Sequence, residues 1–385
     1  MQKTELPEPS AEAIAASHAL QTHIAAAINA AGGWISFAQF MELALYAPGL
    51  GYYSGGAQKF GAAGDFITAP ELTPLFAQTL AAQAVQVMAA SKPNILEAGG
   101  GSGALATDLL LELEQRQALP EQYLILELSG ELRARQAATL QQRAPHLLDR
   151  VQWLDTLPQK FSGFVVANEV LDAMPVHLLQ WQVDGVTERG VTISPEGAFA
   201  WEEKPLSEAL RPYVEALPAT APCISELNLA ARAWIAGWAE ILEQGALVLL
   251  DYGFPRHEYY HAQRQTGTLI CHYRHHTHED PFWWPGLNDI TAHVDFTAMA
   301  EAGFGAGLNV AGYTSQAAFL INCGLTDVLA RTSAEDTVIY LKQSKAVEKL
   351  ISPAEMGELF KVIAFSKGID ETLIGFARGD KTHTL

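Results

Sequence analysis

The sequence predicts an α/β fold with a mostly parallel sheet, and three observations carry that prediction. Short apolar runs alternate with segments of helical periodicity along most of the chain. Three alternating glycines follow the apolar run at 95–96 and precede an Ala/Leu-rich helical segment that extends to Leu110. The next apolar run, at 123–126, ends in the acidic residue Glu127. This order of strand, glycine turn, helix, strand and acid is typical of sheets that bind nucleotides.

The glycine turn is the segment around which the fold is predicted to assemble. Glu97 precedes Gly99, Gly101 and Gly103. Glycine permits positive φ and close approach of the backbone to a ligand, while the following helix N-terminus offers unpaired N–H groups. The pattern lacks the late third glycine of the dinucleotide fingerprint and places a carboxylate before the first glycine. It suits S-adenosylmethionine (SAM), whose α-amino group a carboxylate can hold; a purely structural turn is the alternative.

Composition indicates a folded protein with an acidic surface and reduced cysteines. The chain has 385 residues, 49% of them hydrophobic and 17% charged, which favours a large folded core over disorder. The formal charge of −19 opposes binding to nucleic acid and makes a cationic partner more natural. The three cysteines lie far apart, so we expect reduced, mostly buried thiols.

The N-terminal sequence and the histidines carry two further expectations. The first ten residues have no apolar signal core and no arginine, and no apolar run reaches the roughly 18 residues of a membrane span, so a cytoplasmic protein is predicted. Most histidines fall within 257–293. The tract HYRHHTHED in this range is turn-like and has no matching carboxylate or cysteine spacing, so no metal site is predicted.

The chain before the glycine turn is predicted to be largely helical. Helices are expected over Ala11–Asn29, from Ile35 to Tyr46, and over Leu72–Ala90. Between the last two lies a long glycine- and aromatic-rich segment that reaches Glu71. Such a segment is usually functional or wrapped over a site, and a surface excursion is the alternative.

Polar residues follow the predicted strands after the glycine turn. Glu127 is placed to accept hydrogen bonds from both ribose hydroxyls of a nucleoside, and Asp155, after the strand 151–154, is placed to contact an adenine ring. The strand 164–167 runs into Asn168, Glu169 and Asp172, where the substrate should lie. If the turn after Asn168 is helical, the two carboxylates share a face and could bind a cation; a helix cap is the alternative.

The second half of the chain carries insertions. Alternating segments over 176–201 predict a β-meander that serves as a substrate lobe or lid. Further strands are predicted at 246–250, 308–312 and 360–365, with a helical insertion before the last. We therefore expect four segments: a helical N-terminal extension that also covers the site (1–90), the first half of the SAM-binding domain (91–175), an inserted β-rich lobe (176–225), and the second half (226–385).

Several segments spanning nearly the whole chain together resemble the MidA family: LYAPGLGYY, GDFITAPE, LEAGGGSG, LELSGELRARQ, ANEVLDAMPVH, LLDYG, GTLICHYRHH, PGLNDITAHVDF and MGELFKV. The resemblance implies a seven-stranded, Rossmann-like class I SAM-dependent methyltransferase. It implies a cofactor site that includes Gly64, Asp65 and Asn168. The other members of that site are the residues already assigned to SAM: Glu97, Gly99, Gly101, Gly103, Glu127 and Asp155. Gly100 stands where the family more often has proline.

The resemblance also implies methyl transfer to a protein, because mitochondrial members of the family are complex I assembly factors for which arginine is the acceptor. A guanidinium pocket wants paired carboxylates in fork geometry, which Glu169 and Asp172 could provide, with His293 as a polar partner. Two other functions stay open: a SAM-binding assembly chaperone with weak or no catalysis, and a small-molecule O- or N-methyltransferase. A homo-oligomer is also left open.

Overall fold

The computed structural model describes residues 6–55, 68–333 and 335–385. The α-helices, in chain order, are α1 (Ala11–Ala30), α2 (Phe37–Tyr46), α3 (Ala69–Leu72), α4 (Pro74–Ala90), α5 (Ala104–Gln115), α6 (Gly130–Arg143), α7 (Arg211–Val214), α8 (Leu229–Ile241), α9 (Arg256–Tyr259), α10 (Phe296–Gly305), α11 (Gln316–Asn322), α12 (Leu325–Ala330), α13 (Thr337–Ile351) and α14 (Met356–Leu359). Short 3-10 helices cover Pro145–Arg150, Ile374–Phe376 and Thr382–Thr384.

The strands, in chain order, are β1 (Ile35–Ser36), β2 (Asn94–Ala98), β3 (Gln122–Leu126), β4 (Val151–Leu154), β5 (Phe161–Asn168), β6 (His177–Gln182), β7 (Gly185–Ile193), β8 (Phe199–Pro205), β9 (Cys223–Leu227), β10 (Leu242–Phe254), β11 (Ile270–Tyr273), β12 (His276–His278), β13 (Asp289–Thr291), β14 (Val294–Asp295), β15 (Asn309–Ser315) and β16 (Phe360–Lys367).

The central sheet has the order β15-β16-β10-β5-β2-β3-β4, and the short β14 also pairs with β10. The strands β4, β3, β2, β5 and β10 are mutually parallel, whereas β16 is antiparallel to both of its neighbours. Each apolar run predicted as a strand of this sheet is found in it. The carboxyl ends of the five parallel strands therefore meet at one edge, where ligands of such sheets bind.

The chain divides into two compact units. The sheet unit comprises 67–170, 232–255 and 295–385, and the inserted unit comprises 1–66, 171–231 and 256–294. In the sheet unit, buried side chains of α4, α5 and the parallel strands form one apolar core. Removing such surface from water is the main stabilising contribution to a fold of this kind.

The inserted unit has its own core and two sheets. One sheet has the order β1-β7-β6-β9 with β8 paired to β7, and the other has the order β12-β11-β13. The predicted β-meander is therefore present. Helices α1 and α2 bury apolar residues against these strands, and α2 begins at a capping box formed by Ser36 and Gln39. Within the described ranges, the helices include none that is both long and apolar enough to cross a membrane.

Candidate active site

The glycine turn joins β2 to α5 in the sheet unit. Gly99, Gly101 and Gly103 have φ of 71°, 49° and 83°, a region that favours glycine. A Cβ atom at Gly99 would lie 2.7 Å from Cγ2 of Val170, whereas a Cβ atom at Gly101 would meet nothing within 4 Å. The backbone at Gly101 is thus open on the side where a ligand could approach it.

Glu97 lies inside the sheet just before the turn. Its side chain is 2% exposed, and Oε2 accepts a 2.6 Å hydrogen bond from the hydroxyl of Tyr123. Burial raises the pKa of Glu97 to about 7; the Tyr123 hydrogen bond opposes that rise, and the charge of Glu127 adds to it. The charge of Glu127 therefore acts on Glu97 beside the turn.

Glu127 directly follows β3 and is also buried. Its Oε1 accepts from the backbone N–H of Ser129 at 3.0 Å, and its Oε2 accepts from Nε2 of Gln136 at 3.0 Å. Burial raises the pKa of Glu127, while the hydrogen bonds from Ser129 and Gln136 oppose the rise. Each carboxylate oxygen can accept a second hydrogen bond, which leaves capacity for two hydroxyl groups.

Asp155 lies exposed after β4 and forms an ion pair with Arg133, with 2.7 Å between Oδ1 and Nη2. Arg133 also donates to the backbone oxygens of Glu127 at 2.6 Å and Leu154 at 2.7 Å. This arginine ties together the carboxyl ends of β3 and β4. Asp155 is thereby held at the edge of the sheet where an adenine contact is predicted.

The end of β5 differs from the sequence expectation. The segment after Asn168 is a series of bends and turns rather than a helix, and Glu169 has φ of 53°. Its N–H donates to the backbone oxygen of Leu250 at 2.9 Å, while the carboxylate of Asp251 accepts from Val170 N–H at 3.2 Å. The condition under which Glu169 and Asp172 would share the face of a helical turn is therefore not met, because hydrogen bonds with the end of β10 hold the chain out of a helix.

Asn168, the last residue of β5, donates from Nδ2 to Oε1 of Glu169 at 3.0 Å. Its Oδ1 is a buried oxygen without a hydrogen-bond partner among the described residues. A buried acceptor of this kind costs free energy unless a ligand or water satisfies it. Asn168 is therefore suited to accept a hydrogen bond from a bound molecule.

The other two predicted catalytic residues, Asp172 and His293, belong to the inserted unit. Asp172 is 4% exposed, and its backbone oxygen accepts from Ala292 N–H at 3.0 Å. The backbone N–H of His293 donates to Oγ1 of Thr268 at 3.0 Å. The structure thus connects the segment of Asp172 to the residue next to His293.

Glu226 holds the segment of Thr268 and Leu269, which contacts His293, and the sequence analysis missed it. Its buried carboxylate accepts from the backbone N–H groups of Thr268 at 2.7 Å and Leu269 at 3.0 Å, and from the hydroxyl of Tyr259 at 2.8 Å. Thr268 in turn accepts from His293. A carboxylate at the end of β9 carries no local motif, so no sequence signal separates it from a surface acid.

Two predicted cofactor contacts, Gly64 and Asp65, lie outside the described residues. Three of the clustered histidines lie in the sheet formed by β11, β12 and β13: His272 on β11, and His276 and His278 on β12. There, burial lowers the pKa of His272 to about 4, with a smaller effect from the charge of His278. Among residues that the structure describes, we find no group of three or more metal-ligating side chains that could hold an ion.

Residues 78–314 match the family model described as "Putative S-adenosyl-L-methionine-dependent methyltransferase". The chain belongs to this methyltransferase family. A COG1565 superfamily member from Burkholderia thailandensis, whose crystal structure contains S-adenosyl-homocysteine, is 53% identical to this methyltransferase and superposes with a TM-score of 0.96, covering 99% of this chain and 100% of that one.

Two relatives of this methyltransferase are named protein arginine methyltransferases of mitochondria. The NDUFAF7 homolog of Drosophila melanogaster is 30% identical, over 95% of this chain and 89% of its own length. NDUFAF7 of Danio rerio is also 30% identical, over 88% of this chain and 85% of its own length.

The cofactor of this methyltransferase is SAM, and the residues at the sheet edge fit it. The nucleoside needs acceptors for ribose hydroxyls, which Glu127 can supply, and a backbone that a ligand can approach, which Gly101 provides. The buried Oδ1 of Asn168 adds an acceptor for a polar group. These three features belong to one unit and to one edge of its sheet.

Proposed function

We propose that this methyltransferase transfers the methyl group of SAM to an arginine side chain of a partner protein. The observation that carries the proposal is the similarity, over most of both chains, to proteins named protein arginine methyltransferases. The net charge of −19 supports a cationic acceptor. A respiratory complex I subunit is the proposed class of target.

In this proposal, the sheet unit binds SAM. Glu127 accepts hydrogen bonds from the ribose hydroxyls, Asp155 lies beside the adenine, and Glu97 acts on the α-amino group. Support comes from the positions of these residues at or beside the carboxyl ends of β2, β3 and β4. Gly64 and Asp65 are proposed to complete the site.

Glu169 and Asp172 are proposed to bind the guanidinium group. They are three residues apart and follow β5, so the chain itself keeps their Cα atoms within about 11 Å of each other. Two carboxylates would hold the planar cation by paired hydrogen bonds and localise its charge on one side. The other terminal nitrogen could then present its lone pair to the methyl group, with rate acceleration arising mostly from alignment. His293 is proposed as a polar partner of the acceptor.

The names of the relatives place those proteins in mitochondria. A cytoplasmic location for this chain stays a prediction, as does a homo-oligomer. Fractionation of cells that express the tagged chain would test the first, and light scattering of the purified protein the second.

A SAM analogue with a tagged transferable group, added to lysate with the purified enzyme, tests the proposed function. A labelled protein band supports it. Label confined to small molecules would instead indicate a small-molecule O- or N-methyltransferase. Binding of the analogue without any label would indicate an assembly chaperone. The Gly101→Val variant, in which the cofactor site is blocked, is the control for transfer by other enzymes.

A further inference from the structure

Gln136 lies on α6, at the end of the segment LELSGELRARQ, and it contacts three parts of the proposed cofactor site. We propose that Gln136 is a positioning residue that orients the Glu127 carboxylate toward the ribose hydroxyls of SAM. The inference rests on the ribose role proposed for Glu127. It adds that the Gln136 amide sets the orientation of the Glu127 carboxylate.

The side chain of Gln136 is 0% exposed, and its amide both donates and accepts hydrogen bonds. Nε2 donates to the backbone oxygen of Gly101 at 3.1 Å and to Oε2 of Glu127 at 3.0 Å. Oε1 accepts from Nε1 of Trp153 at 2.8 Å. Both amide hydrogens are therefore used, and the Trp153 hydrogen bond fixes which end of the amide faces the carboxylate.

The glycine turn is shaped around this side chain. A Cβ atom at Gly100 would lie 3.0 Å from Nε2 of Gln136 and 2.9 Å from Cγ2 of Ile125, and a Cβ atom at Gly103 would lie 2.9 Å from Cα of Gln136. Glycine at these two positions lets α6 pack directly on the turn. Gly100, where the resembling family more often has proline, thus leaves room for the amide.

These contacts fix the rotation of the Glu127 carboxylate. One oxygen is held by Ser129 N–H and the other by Gln136, so the carboxylate plane is set from two sides. Without Gln136, Oε2 would lose this side-chain donor, and a more freely rotating carboxylate would meet the two ribose hydroxyls less often in the productive geometry. Preorganised acceptors bind more tightly because less conformational freedom is lost on binding.

The test compares two ligands by calorimetry: S-adenosylhomocysteine and its 2′-deoxy analogue, which lacks one ribose hydroxyl. We expect wild type to bind the natural ligand about 10- to 100-fold more tightly, as for one hydrogen bond to a charged group. Gln136→Leu should reduce this ratio to about threefold or less. Gln136→Met is close to glutamine in volume but has no donor for Glu127, and it should reduce the ratio as well.

Thr139→Val is the matched control. Thr139 lies one turn further along α6, and its hydroxyl donates to the backbone oxygen of Ser102 in the same glycine turn at 2.8 Å. Its loss should weaken the packing of α6 on the turn while keeping the wild-type ratio between the two ligands. A general loosening of the site would lower the ratio in both α6 variants, and that result would overturn the inference.

The outcomes separate this inference from the assignments on which it rests. Equal binding of both ligands by wild type would overturn the ribose role of Glu127. A wild-type ratio retained in folded Gln136→Met would overturn the role of Gln136 alone, and Gln136→Met decides the matter if Gln136→Leu does not fold. Neither result depends on the methyl acceptor, so the proposed arginine specificity is tested separately.

Discussion

The hydroxyl of Tyr123 on β3 donates a 2.6 Å hydrogen bond to Oε2 of Glu97 on the neighbouring parallel strand β2. Burial raises the pKa of Tyr123 well above its usual value, so the phenol stays a neutral donor. Burial also raises the pKa of Glu97 to about 7. The carboxylate therefore costs the folded state free energy whenever it is ionised.

Glu97→Gln is expected to stabilise the protein at alkaline pH. Because the folded-state pKa is raised from 4.5 to about 7, the protonated form favours folding, and this contribution is lost as pH rises through that window. The pKa difference between the folded and the unfolded state corresponds to about 3 kcal/mol of unfolding free energy lost at pH 8. Glutamine keeps an oxygen for Tyr123 without the charge. Thermal melts from pH 4.5 to 8 should show the variant gaining stability over wild type as pH rises.

Glu112→Gln is the control for that experiment. Glu112 is equally buried, but its Oε1 pairs with Arg116 at 2.7 Å and with Arg331 at 2.8 Å. Removing its charge breaks two ion pairs and should lower stability at pH 8. A Glu97→Gln variant that also melts below wild type at pH 8 would show that the ionised carboxylate stabilises the fold.

Gly101→Val is expected to abolish SAM binding in a folded chain. The side chain would enter the space beside the turn where the structure places no atom within 4 Å, and the positive φ of 49° is unfavourable for a β-branched residue. Gly307→Val is the matched control, because Gly307 also has positive φ and open space around its Cβ position. Calorimetry with SAM should show no binding for the first variant and normal binding for the second. Normal affinity in Gly101→Val would remove the glycine turn from the cofactor site.

The sequence predicts the sheet and the cofactor edge because both depend on local patterns. The apolar runs are long enough to identify β2, β3, β5 and β10, and the glycine turn needs positive φ that only glycine adopts readily. The strand order then brings residues after those strands to one edge.

Prediction from the sequence fails where contacts between distant residues override local conformational preference. Glu169 follows a strand and stands three residues before Asp172, which is also a pattern of helix starts. Hydrogen bonds to Leu250 and Asp251 instead hold this segment in turns. Gln136 and Glu226 act through partners 9 to 43 residues away. Gln136 ends the segment LELSGELRARQ, but neither that segment nor any pattern around Glu226 shows these distant contacts, which depend on packing.

Glu226→Leu is expected to lower the stability of the inserted unit by about 3 kcal/mol, because it leaves buried donors without an acceptor. The backbone N–H groups of Thr268 and Leu269 both need the acceptor that the carboxylate provides. Methyl transfer should fall, because Thr268 accepts from His293, while the affinity for S-adenosylhomocysteine should stay at the wild-type value. Tyr259→Phe removes one donor to Glu226 and should give a smaller effect of the same kind.

Glu169→Gln is expected to keep SAM affinity and to lower single-turnover methyl transfer by several powers of ten, because it removes charge from the proposed guanidinium site. Asp172→Asn should also lower transfer, but less. Melting temperatures measured on the same preparations exclude a stability effect. If both residues serve only to stabilise the turns after β5, both variants should melt earlier and keep full turnover per folded molecule.

The central claim, methylation of a protein arginine, is tested most directly by hydrolysing the protein band that the enzyme labels with isotopic methyl-SAM. Amino-acid analysis should recover the label as methylarginine, and Gly101→Val should give none. Label recovered as methyllysine or as a base-labile methyl ester would contradict the arginine assignment while keeping methyl transfer to protein.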